Sequence, residues 1–218
     1  MKKENFIDNS KVQTTYTQAV LTPKSAIEIL QKGNERFLQN NQLARNLGQQ
    51  VTKTAKGQYP FAVILSCIDS RVPTEIIFDQ GIGDIFNACV AGNFVNEDIL
   101  GSMEFACKLA GVKLIVVMGH TSCGAVKGAC DSAKLGNLTQ LLDKIKPAVD
   151  ATETDVDEDR SSKNIVFVNN VAAKNVEMAI SDIHNQSPVL HELFNQEKID
   201  IVSAMYDVTS GKVYFINK

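Results

Sequence analysis

The sequence predicts a single α/β domain in which helices flank a parallel β-sheet. Unbroken apolar runs at residues 61–65 and 114–118, and a mixed run at 84–92, have the length of strands buried on both faces. A helical pattern at 97–109 separates two of these runs. Strands that alternate with helices form right-handed βαβ units, so we expect the strands to run parallel.

Composition restricts the class of protein and its partners. A length of 218 residues predicts one domain, or at most two, and 25 acidic against 22 basic residues leave no basic field for binding nucleic acid or an anionic membrane. The longest apolar runs are five residues, far too short to span a bilayer, and the polar residues after Lys3 do not fit a signal peptide. Five sparse cysteines suit a reducing compartment. We therefore expect a cytoplasmic protein with neither nucleic acid nor membrane as a partner.

The N-terminal region divides into two parts. Residues 1–21 are polar and weakly patterned, which predicts an extension outside the domain. Thr22 and Pro23 supply an N-cap and a first-turn proline, so a helical arm is predicted at 22–40. Its apolar residues recur at near-helical spacing, at Ile27, Leu30, Phe37 and Leu38. We assign residues 22–218, including this arm, to one domain.

The C-terminal part contains a loop, two helices and two strands. Residues 150–160 carry six acidic side chains and one arginine, which is typical of a solvated loop. Ser187 and Pro188 begin the second helix, and segments 199–204 and 212–216 are predicted as strands joined by a turn. The first helix has an apolar face made of Val168, Val171, Ala172, Val176, Ala179 and Ile183.

Candidate metal ligands follow two of the predicted strands. Cys67 comes directly after the first, and His120, with Cys123 three positions later, comes after the strand at 114–118. Because active sites of α/β sheets gather at the carboxyl ends of strands, these three side chains can converge. Two thiolates and one imidazole select zinc. Three protein ligands leave a position for water, as in catalytic zinc sites, unless Asp69 supplies the fourth.

Other interpretations of these residues remain open at this point. A single buried cysteine after a strand is more often a small core residue, and an isolated histidine is often structural. Asp69 and Arg71 lie on the same side of an extended segment as Cys67, where a guanidinium could hold the carboxylate in a bidentate pair beside the metal. The alternative is an ordinary surface ion pair.

Two motifs, CIDSR at 67–71 and HTSCG at 120–124, closely resemble the signatures of β-class carbonic anhydrases. The resemblance extends from the arm near Pro23 to the terminal strands and includes SRVPTEIIFDQGIGDIF, VAGN and GNLTQLL. It implies a mostly parallel β-sheet flanked by helices, and a homodimer or homotetramer with sites near the subunit interface. The implied activity is zinc-dependent, reversible hydration of carbon dioxide to bicarbonate and a proton by zinc-bound hydroxide.

The same resemblance assigns roles to the motif residues. It implies that Cys67, His120 and Cys123 hold one Zn²⁺ per subunit, and that Asp69 and Arg71 form a catalytic dyad. Asp69 would accept the hydrogen of the hydroxide and aim its lone pair. Because two thiolates donate more charge than imidazoles, we expect activity to rise as the pH passes neutrality.

Five further residues are predicted to contact carbon dioxide or bicarbonate. Gln58 and Phe86 match an open type of site within the family, in which Asp leaves the metal free, and such residues can come from the neighbouring subunit. Val90, Phe105 and Gly124 complete the predicted substrate-binding set. Phe105 replaces a tyrosine found in many relatives. The absence of tryptophan argues against the second, bicarbonate-responsive type.

Two other functions are considered. The first keeps the fold but hydrolyses carbon disulfide or carbonyl sulfide. The second is a zinc-stabilised binding module without turnover. Gln58, Asp69 and Arg71 argue against it, since a structural site would not need them.

Three further residues have no assigned role. Cys89 stands where many members of the family have an arginine, and neither His184 nor His191 is a convincing proton shuttle.

Overall fold

A computed structural model of the chain describes residues 8–216 as a five-stranded β-sheet with helices on both faces. The strands are β1 (Ala62–Ser66), β2 (Ile85–Cys89), β3 (Leu114–His120), β4 (Asp200–Tyr206) and β5 (Val213–Ile216). Their order in the sheet is β2-β1-β3-β4-β5, and only the β4–β5 pair is antiparallel. The predicted α/β class and mostly parallel sheet are therefore confirmed.

Ten α-helices are described within residues 8–216. They are α1 (Thr15–Val20), α2 (Pro23–Leu38), α3 (Leu47–Thr54), α4 (Thr74–Ile77), α5 (Glu97–Glu104), α6 (Gly124–Cys130), α7 (Gly136–Asp143), α8 (Lys146–Ala151), α9 (Ile165–Gln186) and α10 (Pro188–Asn195). A π-helical turn at Phe105–Leu109 continues α5. None of these helices combines the length and the apolar content needed to cross a bilayer.

The central strands are buried on both faces, as their unbroken apolar sequences predict. All residues of β1 and β3 are buried. Because side chains alternate along a strand, Ile64 and Val116 pack in one core with Leu30 of α2. Leu65 and Val117 pack in the opposite core, which α9 and α10 cover. This double burial keeps the strand ends in fixed register.

The N-terminal region packs on the domain more closely than its composition suggests. As predicted, Thr22 caps α2, where its hydroxyl accepts a hydrogen bond from the Ser25 amide. The prediction of a polar extension at 1–21 included no helix, but α1 occupies part of it. Gln18 in α1 is buried and donates hydrogen bonds to the carbonyls of Pro60 (2.7 Å) and Ala110 (2.8 Å). Residues 1–7 lie outside the described part of the chain.

The C-terminal elements agree with their sequence patterns. The six apolar residues predicted to form one face of α9 are all buried. Ser187 caps α10, and β4 and β5 form the predicted hairpin. The acidic segment 150–160 is irregular after its first two residues, which belong to α8.

Candidate metal centre

Cys67, His120 and Cys123 come together at the carboxyl edge of the sheet. Cys67 directly follows β1, and His120 is the last residue of β3, because the strand extends two residues beyond the predicted run at 114–118. One potential ligand atom from each side chain lies within 4.8 Å of the other two, and all three residues are buried. The two sulfur atoms are 3.9 Å apart.

The geometry of this group fits a zinc ion. Two thiolates on a tetrahedral zinc, with Zn–S bonds of about 2.3 Å, hold their sulfurs about 3.8 Å apart. His120 Nδ1 lies 2.9 Å from the Thr121 carbonyl, which can only accept, so Nδ1 carries the proton and Nε2 has a free lone pair. Nε2 is buried without a hydrogen-bond partner. A metal ion would satisfy this buried acceptor.

Without a metal, the thiols of Cys67 and Cys123 share one proton in a hydrogen bond. A hydrogen bond from Cys123, together with that from the Gly92 amide, lowers the pKa of Cys67 well below its usual range, although burial opposes this. The pKa of Cys123 is raised, because it holds the shared proton and because it is buried. One sulfur is therefore readily anionic, which suits it to a cation.

Asp69 and Arg71 form a bidentate pair at the rim of the cluster. Arg71 Nε lies 2.9 Å from Asp69 Oδ1, and Arg71 Nη2 lies 2.7 Å from Oδ2. These bonds hold the pKa of Asp69 well below its usual range. Asp69 Oδ2 is 3.8 Å from His120 Nε2, yet the carboxylate is not part of the group of three residues that could hold a metal ion.

A strained turn places Cys123 opposite Cys67. Ser122 has a left-handed backbone (φ 57°), and its amide donates to Asn169 Oδ1 at 2.9 Å. The turn reverses the chain between β3 and α6, so that Cys123 becomes the N-cap of α6. The Ala125 and Val126 amides at this helix start partly offset the rise in the pKa of Cys123.

The segment after β2 supports Cys67. The Gly92 amide donates to Cys67 Sγ at 3.3 Å, and Asn175 Nδ2 donates to the Gly92 carbonyl at 2.8 Å. Gly92 has φ 81°, and a Cβ there would lie 2.3 Å from Ile145 Cδ1. The sequence analysis missed the roles of Asn169, Asn175 and Ile145. For Asn175, the available signal was a polar residue on the apolar face of α9.

Two predicted substrate-binding residues lie near the cluster. Gly124 borders an open depression of about 440 Å³ together with Cys67, Asp69 and Arg71. Val90 follows β2, is half-buried, and donates its amide to the Ser66 carbonyl. The structure thus places Cys67, the Asp69–Arg71 pair and Gly124 around one opening, with the buried His120 and Cys123 close to Cys67.

The other three predicted substrate-binding residues lie elsewhere in the chain. The rings of Phe86 and Phe105 are 6.2 Å apart in an edge-to-face contact and line a separate groove of about 510 Å³. Gln58 is exposed and precedes β1, whereas Cys67 follows it, so the two residues lie at opposite ends of the strand. Cys89 is exposed, with its sulfur 3.3 Å from Ser66 Oγ.

Comparisons with known proteins agree with this geometry. The family described as carbonic anhydrase matches residues 62–213. Carbonic anhydrase 2 of Mycobacterium tuberculosis is 33% identical over 198 residues, covering 87% of this chain and 91% of the relative. The β-carbonic anhydrase CafA of Aspergillus fumigatus has a similar fold, with a TM-score of 0.69, 24% identity, and coverage of 89% of this chain and 90% of that one.

A tetrameric β-carbonic anhydrase of Sordaria macrospora also shares the fold. Its TM-score is 0.65 at 24% identity, with 78% of this chain and 91% of that chain covered. The family match spans more than half of the chain, and the cysteine–histidine–cysteine cluster is suited to the zinc that the family uses. The chain therefore belongs to the β-class carbonic anhydrases, the zinc enzymes that hydrate carbon dioxide.

Proposed function

We propose that this chain hydrates carbon dioxide reversibly at a zinc centre held by Cys67, His120 and Cys123. One observation carries the assignment: His120 Nε2, buried and without a hydrogen-bond partner, belongs to a group that holds two sulfurs 3.9 Å apart. A zinc ion held there would lower the pKa of a coordinated water towards neutrality and so supply the nucleophile. Three protein ligands leave a position for that water.

Asp69 orients the nucleophile in this proposal. Its Oδ2 accepts the hydrogen of the attacking oxygen, so that the oxygen lone pair points at the carbon of carbon dioxide. Arg71 keeps Asp69 ionised and fixes both carboxylate oxygens. The bidentate pair supports the open type of site, in which Asp69 stays outside the metal-ligating group.

The depression bordered by Gly124 accommodates the substrate. A Cβ added at Gly124 would meet no atom within 4 Å, so its absence leaves open space beside Cys67, Asp69 and Arg71. Carbon dioxide has three atoms, and a depression of about 440 Å³ admits it easily. Val90 follows β2 and packs against the apolar cluster that contains Cys67, and we assign it as an apolar neighbour of the substrate.

We assign Gln58, Phe86 and Phe105 to a site completed by a second copy of the chain, as a homodimer or homotetramer. Gln58 Cβ lies 4.0 Å from the position that a Cβ would occupy at Gly83, on the border of a groove with exposed apolar walls. These walls include Leu47 and Ile76, which are 54% and 59% exposed. Exposed apolar patches mark association surfaces. A second copy of the chain that covers this groove brings its own metal centre close to Gln58.

We also propose a cytoplasmic location for the enzyme. All five cysteines lie within residues 8–216, and each is a free thiol in the structure. Unpaired thiols suit a reducing compartment. Localisation of a tagged full chain in cells tests this assignment.

Stopped-flow hydration of carbon dioxide by zinc-quantified protein, from neutral to alkaline pH, tests the function. We expect activity that rises with pH and is lost together with zinc in Cys67→Ser. Cys130→Ser is the matched control, because Cys130 lies outside the metal-ligating group and should keep both zinc and activity.

Two results would overturn parts of the proposal. Full zinc content in Cys67→Ser would contradict the ligand assignment. Wild-type protein that carries zinc but turns over only carbon disulfide or carbonyl sulfide, or nothing at all, would contradict the carbon dioxide assignment.

A further inference from the structure

Asn175 is a polar residue on the buried face of α9, where the other buried positions are apolar. Only 4% of its surface is exposed. Burying an amide costs free energy unless it forms hydrogen bonds, so the Asn175 side chain requires a partner inside the core. The side-chain Nδ2 donates a 2.8 Å hydrogen bond to the carbonyl of Gly92, 83 positions away in the chain.

Gly92 connects Asn175 to the metal centre. Its carbonyl is held by Asn175, and its amide donates to Cys67 Sγ at 3.3 Å. With φ at 81° and Ile145 packed against its Cα, the Gly92 backbone is fixed in a conformation that residues with a Cβ rarely adopt. The amide and the carbonyl of Gly92 belong to successive peptide planes that meet at its Cα, so a rotation of the plane that carries the carbonyl can displace the amide from Cys67.

We propose that Asn175 is a positioning residue of the metal centre: by holding the Gly92 carbonyl, it keeps the Gly92 amide against the Cys67 sulfur. This rests on the proposed function, since it takes Cys67 as a zinc ligand. The amide draws charge from the sulfur and fixes its position. Hydrogen bonds of this kind orient metal ligands and tune how strongly they donate.

Loss of the Asn175 side-chain amide should therefore lower zinc affinity while the protein still folds. Without the hydrogen bond from Asn175, the peptide plane after Gly92 can rotate, the plane before it can follow, and Cys67 loses a donor. We expect zinc affinity to fall on the order of 10-fold. In protein loaded with Co²⁺, the sulfur-to-metal charge-transfer band should move to longer wavelength, because the sulfur lone pair is no longer stabilised by an N–H donor.

Asn175→Ala tests the proposal against Asn34→Ala as the matched control. Asn34 is also 4% exposed, and its Nδ2 likewise donates to a glycine carbonyl, that of Gly211, at 3.0 Å. It lies in α2 and forms no part of the metal-ligating group. Competition with a chromophoric chelator measures zinc affinity. We expect Asn34→Ala to lose thermal stability while keeping wild-type zinc affinity and an unshifted Co²⁺ band.

Asn175→Asp keeps the shape of the side chain but presents an acceptor to the Gly92 carbonyl. It provides the test if the alanine variant fails to fold, and it should weaken zinc binding at least as much. The proposal is wrong if a folded Asn175 variant keeps wild-type zinc affinity and an unshifted band, or if Asn34→Ala changes both equally. Neither zinc affinity nor the Co²⁺ band requires turnover. A wild-type protein that fails to hydrate carbon dioxide would therefore refute the proposed function, while the role of Asn175 could still be tested.

Discussion

Arg71 binds both carboxylate oxygens of Asp69, which precedes it by two positions in the same turn. Besides the two side-chain bonds, the Arg71 amide donates to Asp69 Oδ1 at 3.0 Å, and the Val72 amide donates to the Asp69 carbonyl at 2.9 Å. Arg71 Nη2 also lies 3.4 Å from the Ser122 carbonyl, in the loop that carries Cys123. The pair thus links the two loops of the metal centre while leaving one face of Asp69 towards His120.

Asp69→Asn should lower turnover while the protein keeps its zinc. The amide has the size of the carboxylate, but it carries no charge and presents a donor on one side. Because it can no longer accept from both Arg71 and the nucleophile, we expect kcat to fall about 100-fold or more. Stopped-flow hydration together with metal analysis of the same sample measures both quantities.

Arg71→Lys is the second arm of this test. Lysine keeps the charge but cannot form the two parallel hydrogen bonds, so turnover should lie between that of the wild type and that of Asp69→Asn. If Asp69→Asn loses zinc in proportion to activity, Asp69 supports the metal rather than orienting the nucleophile.

The sequence carried most of the information about the sheet. The uniform apolar runs of β1 and β3 predict burial on both faces, and this burial requires the helices that flank the sheet. The positions of Cys67 and His120 at neighbouring strand ends follow from the same parallel arrangement. Local periodicity was sufficient here because each strand is continuous in sequence.

Contacts between distant segments could not be predicted from periodicity. Asn175 reaches Gly92 across 83 positions, and Gln18 reaches Ala110 across 92. Gln18 lies in a polar segment and Asn175 is a single polar residue on an apolar helix face, and neither pattern identifies the distant carbonyl that the side chain reaches. The left-handed backbone of Ser122 was equally hidden, because serine rarely adopts it and Asn169 must support it.

Gly92→Ala should strongly destabilise the protein. The backbone has φ 81°, and the new Cβ would lie 2.3 Å from Ile145 Cδ1, in a core where Ile145 is fully buried. Strain and overpacking together should lower the free energy of unfolding by about 2–3 kcal/mol. Urea unfolding of the metal-free protein measures the change.

Gly101→Ala is the matched control for Gly92. Gly101 lies inside α5 and a Cβ there would meet no atom within 4 Å. Alanine should therefore raise the free energy of unfolding by about 0.5–1 kcal/mol. Equal destabilisation of the two variants would contradict the explanation by backbone angle and clash.

Asp84 is a fully buried carboxyl group at the amino end of β2. Its Oδ2 accepts from the Gly81 amide at 2.7 Å, whereas Oδ1 has no hydrogen-bond partner. Burial raises the pKa of Asp84 to about 6, although the Gly81 amide and nearby Arg45 oppose the rise. The folded protein therefore holds this proton more tightly than the unfolded chain does.

This carboxyl should make the protein less stable as the pH rises. Between the unfolded pKa of 3.8 and the folded pKa of about 6, the folded state binds more protons, so the free energy of unfolding falls with pH. Above that window the loss is complete, at up to about 3 kcal/mol. Asp84→Asn cannot ionise, so its stability relative to the wild type should increase by about 1 kcal/mol between pH 5 and pH 7.5.

Urea unfolding of metal-free wild type and Asp84→Asn at these two pH values measures the difference directly, because contributions from other groups cancel. Asp157→Asn, in the exposed acidic loop, is the control and should show no such difference. A relative stability of Asp84→Asn that is the same at both pH values would mean that Asp84 is ionised in the folded state throughout this range. Burial would then be compensated by Arg45 and the Gly81 amide, and the unpartnered Oδ1 would need a water molecule.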